Sequence, residues 1–171
     1  KENRLLRPEI YYMSTEPYNE GLLFENNIYF EQVSAGKIRR KMSPLNIFLN
    51  AIDLLNTVSG SIGAIWRMFV IYPDIVFGKG GYASFPALLA ARILMIPVVI
   101  HESDSIPGKV NLWAGKFARR VAISYPEAAQ FFKKDNVGYT GNPIRNEIQE
   151  PLTEGAYDIF GFNKSIPTVL I

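Results

Sequence analysis

Residues 74–107 read DIVFGKGGYASFPALLAARILMIPVVIHESDSIP and constrain the fold more than any other stretch. A short apolar strand runs into the glycine turn Gly78-Lys79-Gly80-Gly81. A helix follows, and then a second apolar strand that ends on His101-Glu102. Two strands with few polar positions, joined through a helix, fit a parallel sheet covered on both faces. Such a sheet needs more strands than two, and the flanking sequence offers them.

Residues 9–13 (EIYYM) and 28–33 (IYFEQV) are aromatic and β-branched and read as strands, with a short helix at 18–25 between them. The run Lys37-Ile38-Arg39-Arg40-Lys41 carries four cations in five residues. Ser43-Pro44 then has the form of a helix cap followed by proline at the first helical position. Apolar residues recur at helical spacing over 45–70, including Phe48, Leu55, Ile62, Trp66 and Phe69, while Gly60 and Gly63 predict a break or kink. Strands are predicted at 74–77, 97–100, 120–124 and 137–139, with helices at 82–94, 108–117 and 126–132. Residues 149–165 are polar, contain Pro and Gly, and read as a linker, with a further strand beginning at 167–171.

Each candidate site has a chemical and a plainer reading. Glycines in a strand–turn–helix unit let the backbone approach a ligand, and the free N–H groups of the helix start favour an anion. Gly78, Gly80 and Ala83 fit G-x-G-x-x-G/A, and Glu102 stands at the end of the next strand where a ribose-binding acid would sit. A dinucleotide site therefore competes with other anion sites, and both compete with a turn that needs glycine only for its backbone angles. His101-Glu102 falls beyond a strand's carboxyl end, where α/β sheets bind ligands and a carboxylate can serve as a base. The same pair could instead cap the helix beginning near Gly108. Arg145, after Gly141-Asn142-Pro143, could pair with a phosphate or remain a solvated charge. The cations Lys37, Arg39 and Arg40, followed by a helix bearing Phe48 and Trp66, could dock on an anionic membrane. Alternatively the helix packs its apolar side on the sheet.

Bulk properties exclude several classes. With no cysteine and one histidine, thiolate and multi-histidine metal sites are ruled out. A net charge of +2 gives no ground for expecting nucleic acid as a partner. The longest apolar run, 85–100, is cut by Arg92 and Pro97, so no membrane-spanning helix is expected. The start KENRLLRPEI is charged and unlike a signal peptide. The chain opens on Lys1 and stops in PTVLI, the pattern of a buried strand, and reads as a fragment of something longer.

SAGKIRR, GKGGYASFPALLAAR, IPVVIHESDSIPG and GNPIR occur in that order between Ser34 and Arg145. In series they resemble the MurG family, the UDP-N-acetylglucosamine transferases that make lipid II in peptidoglycan synthesis. The resemblance implies a GT-B glycosyltransferase, with this chain as the Rossmann-like, acceptor-binding N-terminal domain (residues 1–148) lacking its first strand and first glycine loop. It also implies a linker at 149–166 and the start of the donor domain at 167–171.

On that resemblance Gly80, Gly81, Tyr82 and Ser84 hold the acceptor's diphosphate. Glu102 and His101 belong to the catalytic block, Glu102 near the acceptor hydroxyl. Asp104 and Arg145 contact UDP-GlcNAc, and Lys37, Arg39, Arg40, Phe48 and Trp66 meet the membrane. The family's usual Asn is Asp104 here, which exchanges a donor–acceptor amide for an acceptor-only carboxylate. The implied reaction is inverting transfer of N-acetylglucosamine from UDP-GlcNAc to the muramyl 4-hydroxyl of undecaprenyl-diphosphate-linked lipid I. It implies no cofactor beyond the substrate UDP-GlcNAc and no metal-binding residue in this chain, and it takes place peripherally on the cytoplasmic face of the bacterial membrane. The isolated chain is expected to be inactive. Two alternatives stand beside it: a membrane-recruiting subunit of a split glycosyltransferase, and an NAD-dependent oxidoreductase domain. The two strands and long helix ahead of the glycine turn count against the second.

Overall fold

The computed structural model describes residues 8–37, 39, 41, 43–144 and 155–163. The chain divides into two compact units, Lys1–Gly141 and Asn142–Ile171. The first unit opens with β1 (Ile10–Ser14), α1 (Glu20–Glu25) and β2 (Ile28–Gln32), and β1 and β2 pair in parallel. A long helix, α2 (Pro44–Ile71), leads into β3 (Val76–Gly78). Beyond it lie a 3₁₀ turn (Tyr82–Ser84) that runs into α3 (Phe85–Ile93), then β4 (Val98–Glu102), α4 (Lys109–Ala114), β5 (Arg120–Ile123) and β6 (Val137–Tyr139). Strands β3, β4, β5 and β6 form a parallel sheet in that order. In the second unit, α5 (Ala156–Phe160) lies within the stretch expected to be linker.

The alternation read from the sequence matches this architecture, and boundaries move by one to three residues. Two departures have physical causes. The strand expected at 97–100 extends through Glu102, because Ser124 N–H donates to the Glu102 carbonyl (2.9 Å) and continues the ladder with β5. The segment expected as a helix at 126–132 is 3₁₀ over Pro126–Phe131.

The core is built from the inner faces of β4 and β5 and the helices against them. Leu88, Ile100, Val121 and Ile123 are its largest fully buried side chains apart from Pro86. Each contributes roughly 1.5–3 kcal/mol on burial. On α4, Trp113 packs tilted on Phe85 at 5.0 Å and edge-on to Phe117 at 4.9 Å, tying α3 to α4.

Helix α2 corrects one expectation and decides between two readings. It is capped as the sequence implies, with Ser43 Oγ accepting from Asn46 N–H (3.2 Å) and Pro44 at its start. It then runs unbroken for 28 residues, with no break at Gly60 or Gly63. Gly60 lies flush against the Ser34 backbone, where any Cβ would overlap the carbonyl, so it serves close approach rather than bending. The two readings differ in which face turns inward. The buried positions of α2 are Gly60, Ser61, Ala64 and Met68, while Phe48, Leu55, Ile62, Trp66 and Phe69 stand exposed. The small and polar stripe, not the large apolar one, faces the domain. Thr57 Oγ1 accepts from Gly36 N–H (2.9 Å), Asn50 exchanges two bonds with the Arg39 backbone, and Arg67 pairs with Glu31 at 2.9 Å. By length and composition α2 is apolar enough to cross a membrane, which the run at 85–100 is not.

Candidate functional site

The glycine turn follows β3 at its carboxyl end. Gly80 and Gly81 have φ of 81° and 78°, the region where glycine pays no steric cost. A Cβ at Gly81 would meet nothing within 4 Å, so that face of the turn is open. Ser84 Oγ donates to the Gly81 carbonyl (2.9 Å) and closes the turn over the start of the helix. Tyr82 is half-exposed, and the Lys37 ammonium stands 5.6 Å from its ring centre. Lys37 thus lies beside the turn expected to take a diphosphate.

His101 and Glu102 are the last two residues of β4, so their side chains leave on opposite faces. Both are buried. His101 Nε2 is 3.1 Å from the Gly141 carbonyl and 3.3 Å from Ser124 Oγ. A carbonyl only accepts, so Nε2 carries a proton. Thr140 and Gly141 N–H both donate to the Ile123 carbonyl, at 3.0 and 3.3 Å, and His101 secures that turn from the side.

Glu102 turns the other way. Its Oε1 accepts from Asp104 N–H (3.0 Å), and its Oε2 accepts from Gly108 N–H (3.2 Å) and from Asn111 Nδ2 (2.9 Å). The resemblance sets this carboxylate at the acceptor hydroxyl. Here it clasps the loop at 103–108 to the start of α4, which is the plainer capping alternative. Asp104 itself is exposed in that loop, beyond the carboxyl end of β4.

The residue that sequence reasoning missed is Asn111. It is 2% exposed, it donates to both the His101 carbonyl (3.1 Å) and Glu102, and its amide lies against Gly80. The available signal was a lone amide between the apolar Val110 and Leu112 in a short helix.

The basic run divides. Arg39 forms an ion pair with Asp53 of α2, Lys37 stands over Tyr82, and Lys41 is exposed. Arg40 and Arg145 lie outside the described residues. A cavity of about 390 Å³, lined by Arg92, Met95, Phe117 and Arg119 among others, opens at the amino ends of β4 and β5, away from these groups.

A parallel α/β sheet with a glycine turn and a clasped polar loop at its carboxyl edge defines a Rossmann-like ligand-binding domain. The family model for the glycosyltransferase family 28 N-terminal domain matches residues 4–123. The chain belongs to that family and carries the N-terminal domain of a GT-B glycosyltransferase. A Clostridium kluyveri protein named as UDP-N-acetylglucosamine–N-acetylmuramyl-(pentapeptide) pyrophosphoryl-undecaprenol N-acetylglucosamine transferase is 35% identical over 164 residues, covering 95% of this chain and 45% of its own length. A Bacillus thuringiensis protein of the same name, numbered 3, is 31% identical over 161 residues, at 94% and 45% coverage. The crystal structure of Acinetobacter baumannii MurG superposes with a TM-score of 0.58 at 27% identity, covering 84% of this chain and 39% of that one. The chain spans somewhat under half the length of these relatives.

Proposed function

We propose that the protein to which this chain belongs transfers N-acetylglucosamine from UDP-GlcNAc to the muramyl 4-hydroxyl of undecaprenyl-diphosphate-linked lipid I, forming lipid II. The observation that carries this reading is the joining of an open glycine turn and the Asp104 loop on one sheet edge, in a family 28 domain. The turn offers backbone amides to the acceptor diphosphate, and the loop presents Asp104 to the sugar nucleotide. Transfer is an inverting displacement in which the acceptor hydroxyl attacks as UDP leaves and a base takes its proton. Glu102, engaged by three donors, suits holding the loop better than receiving that proton.

The direct test supplies full-length protein with radiolabelled UDP-GlcNAc and a soluble lipid I analogue. Incorporation of label is expected. Binding of NAD in preference to UDP-GlcNAc, without transfer, would replace this reading with the oxidoreductase one. Binding of the acceptor analogue that needs a second polypeptide for any transfer would favour the split-enzyme subunit.

The outer face of α2 supports a peripheral membrane contact, which the transferase reading puts on the cytoplasmic side. Phe48, Leu55, Ile62 and Trp66 are each more than 60% exposed along one helix, and a helix with such a face lies in the interfacial plane with its apolar side down. Since Arg39 is paired with Asp53, the apolar residues supply most of the attachment. Phe48→Glu with Trp66→Glu is expected to weaken binding to phosphatidylglycerol vesicles at least tenfold in a sedimentation assay, with transfer to a soluble acceptor within about twofold of wild type. Unchanged sedimentation would remove the membrane contact from α2.

A further inference from the structure

We propose that Asn111 is a positioning residue shared by both halves of the site, the post against which the glycine turn and the Asp104 loop are both set. This rests on the transferase reading for its substrates, though not for its geometry. Asn111 Nδ2 has two protons and both are committed, one to the His101 carbonyl at 3.1 Å and one to Glu102 Oε2 at 2.9 Å. Both acceptors belong to β4, so the amide is held in one orientation by the sheet. Glu102 passes that constraint outward through its bonds to Asp104 N–H and Gly108 N–H.

The other side of the same amide meets the glycine turn. A Cβ on Gly80 would lie 2.8 Å from Asn111 Nδ2 and 2.9 Å from both Cγ and Oδ1. Near-equal distances to three atoms mean that the flat face of the amide is presented to Gly80. The turn therefore seats on Asn111 directly, and the Asp104 loop seats on it through Glu102. Asn111 Oδ1 is buried without a hydrogen-bond partner among the described residues. A buried unsatisfied acceptor is costly, so packing alone would favour an apolar residue here. An amide is suited to bonding a backbone carbonyl and a carboxylate at once.

The consequence is coupling between substrates. A methyl on Gly80 must push Asn111, and through Glu102 that push reaches the loop that presents Asp104. Gly80→Ala in the full-length protein is expected to raise KM for the lipid I analogue and also KM for UDP-GlcNAc, the latter about tenfold. In an Asn111→Ala background the methyl no longer meets the amide, and only the strain of an L residue at φ 81° remains. That strain stays within the turn, so adding Gly80→Ala should still raise KM for the lipid I analogue but change KM for UDP-GlcNAc less than twofold. A contact that served only stability would cancel in the unfolding midpoint while leaving KM for UDP-GlcNAc unmoved by Gly80→Ala in either background. Effects on KM for UDP-GlcNAc that multiply, or a Gly80→Ala protein with unaltered KM for UDP-GlcNAc, would overturn the assignment. Should Asn111→Ala fail to fold, Asn111→Ser, whose single γ oxygen can turn away from Gly80 in another rotamer, gives the same comparison. A readout free of transfer separates this inference from the functional one. In ¹⁵N-labelled protein, Gly80→Ala should shift the Asp104 and Gly108 amide resonances when Asn111 is present and leave them in place when it is alanine. Shifts that persist in the alanine background overturn the coupling whatever the enzyme does.

Discussion

Glu102→Leu is expected to cost about 3–5 kcal/mol of stability, read as a lowered midpoint in urea unfolding and as new protease cleavage within residues 103–108. Leucine fills much of the space but accepts nothing. Asp104 N–H, Gly108 N–H and Asn111 Nδ2 would each lose the oxygen they now bond. A buried donor left without a partner costs about 1–3 kcal/mol, and part is recovered where the loop opens to water. Glu102→Gln should lose less, about 1–2 kcal/mol, since its carbonyl oxygen can serve two donors while its amide nitrogen faces the third. This ordering separates the clasp from a base at the acceptor hydroxyl. A base would leave the leucine variant near wild-type stability and remove only turnover, and that outcome would return Glu102 to the chemistry.

How far the sequence disclosed this arrangement depended on the range of the interaction involved. The period of the apolar residues and the cap Ser43-Pro44 are local signals, and the strands and the start of α2 fall where those signals put them. His101-Glu102 was legible as the end of a strand because Val98–Ile100 leads straight into it. Their opposite tasks were not legible. Those depend on Gly141, forty positions beyond His101, and on Asn111, nine beyond Glu102, meeting the strand from its two faces. The division of the basic run was hidden for the same reason, because neighbouring cations look alike until Asp53 is found against Arg39. Which face of helix α2 turns inward was hidden differently. Periodicity marks two faces and does not say which one turns inward. The stripe through Asp53, Thr57, Gly60, Ala64 and Met68 has the same period as the large apolar stripe beside it. What turned it inward is contact made by small residues with Ser34 and Gly36, at positions where a large side chain could not fit.

That contact yields the second large effect, a pair of glycines in one helix with opposite signs. At Gly60 an added side chain would overlap the Ser34 carbonyl and carbon, both backbone atoms without a rotamer to yield. Ser34 cannot retreat freely, because Gly36 is pressed on the Asp53 backbone and its N–H is bonded to Thr57 Oγ1. Gly60→Val should therefore lever residues 33–36 off α2 and lower stability by about 3 kcal/mol or more, at the upper end of overpacking costs. At Gly63 the nearest atom to an added Cβ is Arg67 Nη1 at 3.8 Å, the far end of a flexible side chain. Nothing there opposes the ordinary helical preference, so Gly63→Ala should raise stability by about 0.5–1 kcal/mol. Thermal unfolding of the two variants, three residues apart, is expected to move in opposite directions. Had Gly60 marked a kink, as its sequence context implies, a side chain there would straighten the helix at little cost. A Gly60→Val protein as stable as wild type would show that α2 does not rest on the Ser34 backbone.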